Sequence, residues 1–248
     1  MTSLPTIETI TPGWPAPAIV RACCTTRAGG VSAAPYDSLN LGMHVGDGAD
    51  SVSRNRELLA AALALPSSPE WIEQTHSSEA ITLELDAKRR ADAAVTRARG
   101  RVAVVMTADC LPILLCDRAG SEVAAVHAGW RGLQAGVVQS ALAAMRSAPA
   151  QLLAWIGPAI SQVHFEVGAD VYTAFVDANP AAAAHFDANR PGHWLCDLAG
   201  LAEAVLRAAG VESVTRDAHC TYRDAEQFYS YRRDGVTGRM ASLVWIDP

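Results

Sequence analysis

Unbroken apolar runs fill the middle of the chain. Residues 102–106, 113–116 and, after its leading glutamate, 122–126 read as buried strands. ThrAlaAspCysLeuPro separates the first two; Pro112 lacks an N–H and disfavours a helical Leu111, so the separator is extended or turning. Residues 19–26, 93–96, 151–156, 213–216, 227–231 and 241–246 supply further strands, and 70–74 a short extended segment. Gly157 and Pro158 stop the strand at 151–156.

Helical periodicity appears between these runs. Residues 51–65 place Val52, Leu58, Leu59, Ala62 and Leu63 on one side, and Pro66 ends them. An Ala- and Leu-rich helix is predicted from the HisAlaGlyTrpArgGly turn at 127–132 to about Arg146. Two more cover 166–176 and 198–209, the last with Asp197 as N-cap and Gly210 as stop. The alanine run at 181–184 reads as a small-residue connection or helix fragment.

The elements define an α/β (mixed α+β) fold: a single domain over 1–248, with layered mixed β-sheets and surrounding helices. Pro5, Pro12, Pro15 and Pro17 make residues 1–18 a poorly helical lead-in. The glycines miss the dinucleotide-binding spacing, and residues 129–132 carry no lysine placed for a phosphate-binding loop.

Composition narrows the function. With 50% hydrophobic and 19% charged residues, the 248-residue chain is a poor candidate for disorder or a solvating role. A net charge of −6 gives no whole-surface basis for nucleic-acid binding, though a local anion site remains open. Six scattered cysteines without a CxxC pair read as reduced thiols, which suits a cytoplasmic location. The first ten residues lack a secretory pattern, and Asp109 and Pro112 interrupt the longest apolar stretch, so no membrane role is expected.

Candidate chemistry collects at strand ends. His76, Cys110 and His127 each sit beside a predicted β segment: IEQTH, VMTADC and VAAVH. Their separations lack the short spacing of a zinc motif. Two imidazoles and a thiolate nevertheless supply three donors to a divalent ion, leaving a fourth tetrahedral position open. Two other readings compete: core filling by Cys110 with carbonyl-bound histidines, or a Cys–His hydrolytic pair using Cys110 with His76 or His127.

Arg27, before AlaGlyGly, and Arg131, at a helix start, are candidate phosphate or sugar contacts, with Arg232, Arg233 and Arg239 as further candidates. Asp109 is a candidate for orienting a zinc ligand, binding ribose or transferring a proton. Asn40 and His44 line an early loop, where Asn40 either meets a substrate or caps a turn. Glu166 is a substrate acid or the charge at a helix start, and Tyr222 and Tyr231 form an aromatic wall or pack in the core.

Ten blocks spread along nearly the whole chain carry a family resemblance. They are TTRAGGVS, NLGMHVGD, QTH, TADCLP, HAGWRG, IGPAI, FEVG, CTY, FYSYRRDG and TGRMAS. The chain thereby resembles the laccase-domain, polyphenol-oxidase-like family associated with purine nucleoside phosphorylases. The resemblance implies a zinc-centred site of His76, Cys110 and His127 within a two-layered mixed β architecture. It also implies purine nucleoside and phosphate as substrates: phosphorolysis of adenosine and inosine, extending to methylthioadenosine, with adenosine deaminase side activity. Ser77 stands where the family more often has glycine. The family's older label implies a copper-dependent polyphenol oxidase instead. Amidase-like editing of peptidoglycan precursors and a non-enzymatic metal-binding scaffold are the remaining alternatives.

Overall fold

The structure is a computed structural model that describes residues 6–248; residues 1–5, with Pro5 of the lead-in, lie outside the described residues. The elements begin with β1 (Thr9–Ile10), β2 (Val20–Thr25), α1 (Ala49–Ala62), β3 (Ala80–Thr82) and β4 (Ala93–Thr96). The central apolar runs become β5 (Ala103–Thr107), β6 (Leu111–Asp117) and β7 (Val123–Ala128). After them come α2 (Trp130–Gln134), α3 (Val137–Ala144), β8 (Leu152–Ile156), β9 (Glu166–Gly168) and α4 (Ala169–Val176). The remainder is β10 (Phe186–Arg190), β11 (His193–Cys196), α5 (Leu198–Ala208), β12 (Ser213–Arg216), α6 (Tyr231–Asp234) and β13 (Met240–Ile246).

Among the described residues these strands form a six-stranded sheet β12-β8-β6-β7-β4-β3 and a four-stranded sheet β1-β2-β13-β5. A small β10-β11-β9 sheet stands beside them. The large sheet is mixed: β12 runs parallel to β8 and β3 to β4, while β6 is antiparallel to both neighbours.

Side-chain alternation explains why the central strands are apolar throughout. Leu111, Ile113 and Leu115 of β6 share a core with Val137, Val138 and Ala141 of α3 and Leu201, Ala202 and Leu206 of α5. From the opposite face of the same strand, Leu114 and Cys116 join Val105, Val244 and Ile246 of the four-stranded sheet. That sheet buries Val104, Met106, Leu243 and Trp245 with Leu59 of α1 and the Leu39 and Leu41 loop. The layers therefore run helix, sheet, sheet, helix. With both faces covered, no strand position needs to meet water, and the alternating polar pattern is lost. The mixed α+β architecture with layered sheets is the one the pattern predicts.

Local departures have local causes. The helix expected from 127 to 146 is two, α2 and α3, because Gly136 turns into the left-handed region at φ 95. Helix 166–176 begins only at Ala169: residues 166–168 pair instead with β11 as β9. The strand expected at 227–231 is a turn leading into α6, where the Ser230 hydroxyl accepts the Arg233 N–H and starts a helical turn. Residues 70–74 make only isolated bridges, and the alanine run lies in a 3-10 helix, Pro180–His185. Asp197 caps α5 by accepting from Gly200, as the sequence predicts.

Candidate metal centre

Cys110 sits where the chain crosses from one large sheet to the other, between the end of β5 and the start of β6. Asp109 makes that corner with φ 90. Its carboxylate accepts the Thr221 hydroxyl at 2.7 Å and the Arg232 N–H at 2.6 Å, while its carbonyl accepts the Ile160 N–H. These bonds fasten the corner that carries Cys110 to the C-terminal segment.

His127 lies near the end of β7, in register with Pro112. Pro112 has no N–H to offer across the ladder, and the His127 N–H bonds the Asp92 carbonyl at 2.7 Å. His76 comes from a loop. Gln74 docks that loop on β5 by accepting the Met106 N–H and donating to the Met106 carbonyl, both at 2.8 Å.

Donor atoms of His76, Cys110 and His127 converge to within 4.8 Å of one another. The Cys110 sulfur is 3.8 Å from His76 Nε2, and the two imidazoles meet edge to face with centroids 4.7 Å apart. His127 is buried, Cys110 half-buried and His76 exposed, so the cluster opens on one side. Gly129 makes the approach feasible. A Cβ there would stand 2.9 Å from both the Cys110 sulfur and His76 Cδ2.

Asp92, fully buried, was not legible as a site residue and organises the whole cluster. Its carboxylate accepts the N–H groups of Thr75, His76 and Ser77, the Ser77 hydroxyl, and His127 Nδ1 at 2.8 Å. Because a carboxylate only accepts, Nδ1 carries the proton and Nε2 of His127 is free to bind a ligand. The serine that replaces the expected glycine after His76 therefore adds a hydroxyl donor to the loop's anchor. Burial opposes the charge on Asp92, but these donors hold its pKa well below the usual carboxylate range.

Electrostatics complete the donor set. Burial alone would raise the Cys110 pKa; the charges and hydrogen bonds of His127 and His76 reverse this and bring it to about 6. His127 is raised to about 9: burial opposes its charge, and Cys110 and Asp92 outweigh burial. At neutral pH these shifts make Cys110 a thiolate and His127 an imidazolium, whose Nε2 proton a bound ion would displace. A thiolate and two imidazoles, one oriented by a carboxylate, fit a divalent ion of the zinc or copper kind and leave an open coordination position.

Other sequence candidates have different positions. Arg27 is engaged by the Asp37 and Ala225 carbonyls, the Asp37 carboxylate at 3.4 Å and the Tyr229 ring. Arg131 is exposed on α2 with its guanidinium over Trp130. Asn40 is buried and braces its own loop, donating to Gly42 O and Asp47 and accepting from Gly42 and Arg239. Glu166 begins a strand, not a helix, and its carboxylate is taken by Arg190 and Asn189, which bring its pKa to about 2. His44 is exposed in the early loop. Its pKa is lowered first by desolvation and then by the charges of Arg239, Arg56, His127 and His76.

Fold and site together define a layered α+β protein with a His–Cys–His cluster, able to hold a metal, at the junction of its two main sheets. The chain belongs to the family described as multi-copper polyphenol oxidoreductase laccase, which matches residues 21–247. It is 50% identical over 239 residues to an Escherichia coli K12 protein named Purine nucleoside phosphorylase YfiH, covering 96% of this chain and 98% of that one. A Pseudomonas aeruginosa protein, also named a purine nucleoside phosphorylase, is 48% identical over 96% of this chain and 98% of its own length. Among solved structures, Neisseria meningitidis protein NMB0706 superposes with a TM-score of 0.93 at 48% identity, covering 97% of this chain and 99% of its own. YlmD from Geobacillus stearothermophilus gives 0.88 at 29% identity, with 98% and 100% covered. No helix among the described residues is long and apolar enough to cross a membrane.

Proposed function

We propose that this protein is a zinc-dependent purine nucleoside phosphorylase acting on adenosine and inosine, extending to methylthioadenosine, with adenosine deamination as a side activity. The convergence of three donor atoms within 4.8 Å, in a chain about half identical to proteins bearing that activity in their names, carries the reading. His76, Cys110 and His127 would hold the ion. When bound, a divalent metal supplies Lewis-acid stabilisation of charge developing on a substrate oxygen.

The chain's own residues set the geometry. Asp92 fixes the His127 tautomer and clamps the His76 loop, so both imidazoles are oriented before substrate arrives. Cys110, as a ligand to that ion, would not be available as a covalent nucleophile. In the reaction a phosphate oxygen bonds to the anomeric carbon while the C–N glycosidic bond breaks, its electron pair leaving with the purine. The proton that hydrogen phosphate loses balances the one the purine takes up. Holding both reactants in one cleft supplies the orientation that solution lacks.

The family's description favours a second reading, copper-dependent phenol oxidation. Against it, the described residues contain one cluster of this kind, and a lone three-ligand set does not make a multicopper centre. The six cysteines are free thiols, which supports a cytoplasmic setting for the enzyme.

Inosine incubated with and without phosphate tests the reading. Hypoxanthine and ribose 1-phosphate should form only with phosphate. Free ribose without phosphate would make the protein a hydrolase, absence of turnover would overturn the nucleoside assignment, and phenol oxidation that tracks copper loading would establish the second reading.

A further inference from the structure

Resting on the phosphorylase reading, the co-substrate must have an anion site beside the metal cluster; of the five arginines expected to supply it, Arg27 and Arg233 are fully engaged and Arg131 and Arg232 are exposed. Arg27 is held as described above. Arg233 donates to Asp234 and to the Thr221, Tyr222 and Phe228 carbonyls, and Arg232 donates to the Glu166 carbonyl beside Phe165. Arg131 lies exposed over Trp130.

Arg239 differs. It precedes β13, whose first residue Met240 pairs with Thr107, three residues before Cys110. Its backbone N–H is fixed by Asn40 at 3.0 Å, and Gly42 gives its stem room, since a Cβ there would meet Arg239 Cγ at 2.9 Å. Nη1 donates to the Thr237 and Gly238 carbonyls, both at 2.9 Å. That locks the guanidinium plane while Nε and Nη2, the opposite edge, keep no protein partner among the described residues. No carboxylate there forms an ion pair with Arg239.

Burial opposes the Arg239 charge, the charges of Cys110 and Asp109 offset this only in part, and the free Nε–Nη2 edge matches two oxygens of a tetrahedral anion. The surroundings agree. Arg56 of α1, stacked on Trp71 at 3.8 Å and donating to the Leu41 carbonyl, brings a second cation without a carboxylate partner against the same loop. His44 lies within the charge field of both guanidiniums and of the cluster imidazoles. The exposed Tyr231 ring stands 5.9 Å from the Arg239 guanidinium.

We propose that the phosphate co-substrate binds on the free Nε–Nη2 edge of Arg239, and that this contact sets phosphate rather than water as the nucleophile. The test compares wild type, Arg239→Gln and Arg239→Lys, each checked for metal content and melting temperature. R239Q should raise the KM for phosphate by about tenfold or more, the loss of a charge-assisted hydrogen bond, with the inosine KM and metal content retained. R239K, which keeps the charge and loses the paired edge, should fall between. An unchanged phosphate KM in a folded, metal-loaded R239Q or R239K would overturn the site. If wild type fails to cleave inosine, the functional reading falls separately. Calorimetric titration with inorganic phosphate then decides the site: weaker binding to R239Q supports it, and equal binding overturns it.

Discussion

At the level of single residues, Asp92 shows how one buried acid can govern a centre it does not enter. Five donors reach its two oxygens, three of them backbone groups of the segment that carries His76. Asp92→Asn keeps the shape and removes the charge, so it should weaken zinc affinity by about 10–100-fold in a chelator competition while the protein stays folded. Unchanged affinity would make Asp92 a packing residue. The ligands themselves were legible because two histidines and a cysteine stood at the ends of apolar runs. Asp92 was not: a lone aspartate before a short strand reads the same whether it caps a turn or clamps a histidine. The contacts of Arg27 were equally hidden, because its partner at Ala225 lies 198 positions away, a distance over which sequence says nothing about contact.

Elements meet at corners, and glycine decides how closely. Gly129 has an ordinary φ of −70, so alanine there carries no backbone strain and the cost is steric, directed at Cys110 and His76. Gly129→Ala should lose bound zinc with little change in fold, read by metal analysis and circular dichroism; full zinc occupancy would show that the corner can yield.

The β6–β7 hairpin offers a different test. Asp117 accepts Ser121 N–H at 2.6 Å, Ser121 Oγ at 2.7 Å and Glu122 N–H at 3.0 Å. Burial opposes its charge, and those three donors lower its pKa overall. A depressed folded pKa means that its stabilisation is present above the ordinary aspartate value of about 3.9 and is lost as pH falls through the lower folded value. Asp117→Asn should therefore melt earlier than wild type at pH 7, by about 1–3 kcal/mol. The gap should narrow in melts below about pH 4; a gap constant across that range would contradict the assignment. The sequence pattern located this hairpin's strands but not the break at Gly136, because a left-handed glycine and a helical one look alike in an Ala-rich run.

Over the whole molecule, two sheets packed face to face explain both what the sequence disclosed and what it concealed. Strands covered on both sides must be apolar throughout, so β5, β6 and β7 were plain to read. The small β9–β11–β10 sheet was not: Asp187, Asn189 and Arg190 in β10 face water, and its segment has neither the apolar run nor the alternation of a buried strand. Strand order also stayed hidden, since pairing depends on contacts far apart in the chain. Yet that order places Cys110 on the crossing between sheets and brings His76 and His127 to it.

X-ray absorption at the zinc edge of the zinc-loaded protein, set beside Cys110→Ser, tests this convergence directly. The expected wild-type shell holds one sulfur at about 2.3 Å and imidazole nitrogens at about 2.0–2.1 Å, with the sulfur lost in the variant. A wild-type shell without sulfur, or one identical in C110S, would place the metal elsewhere and leave the three side chains without their common task.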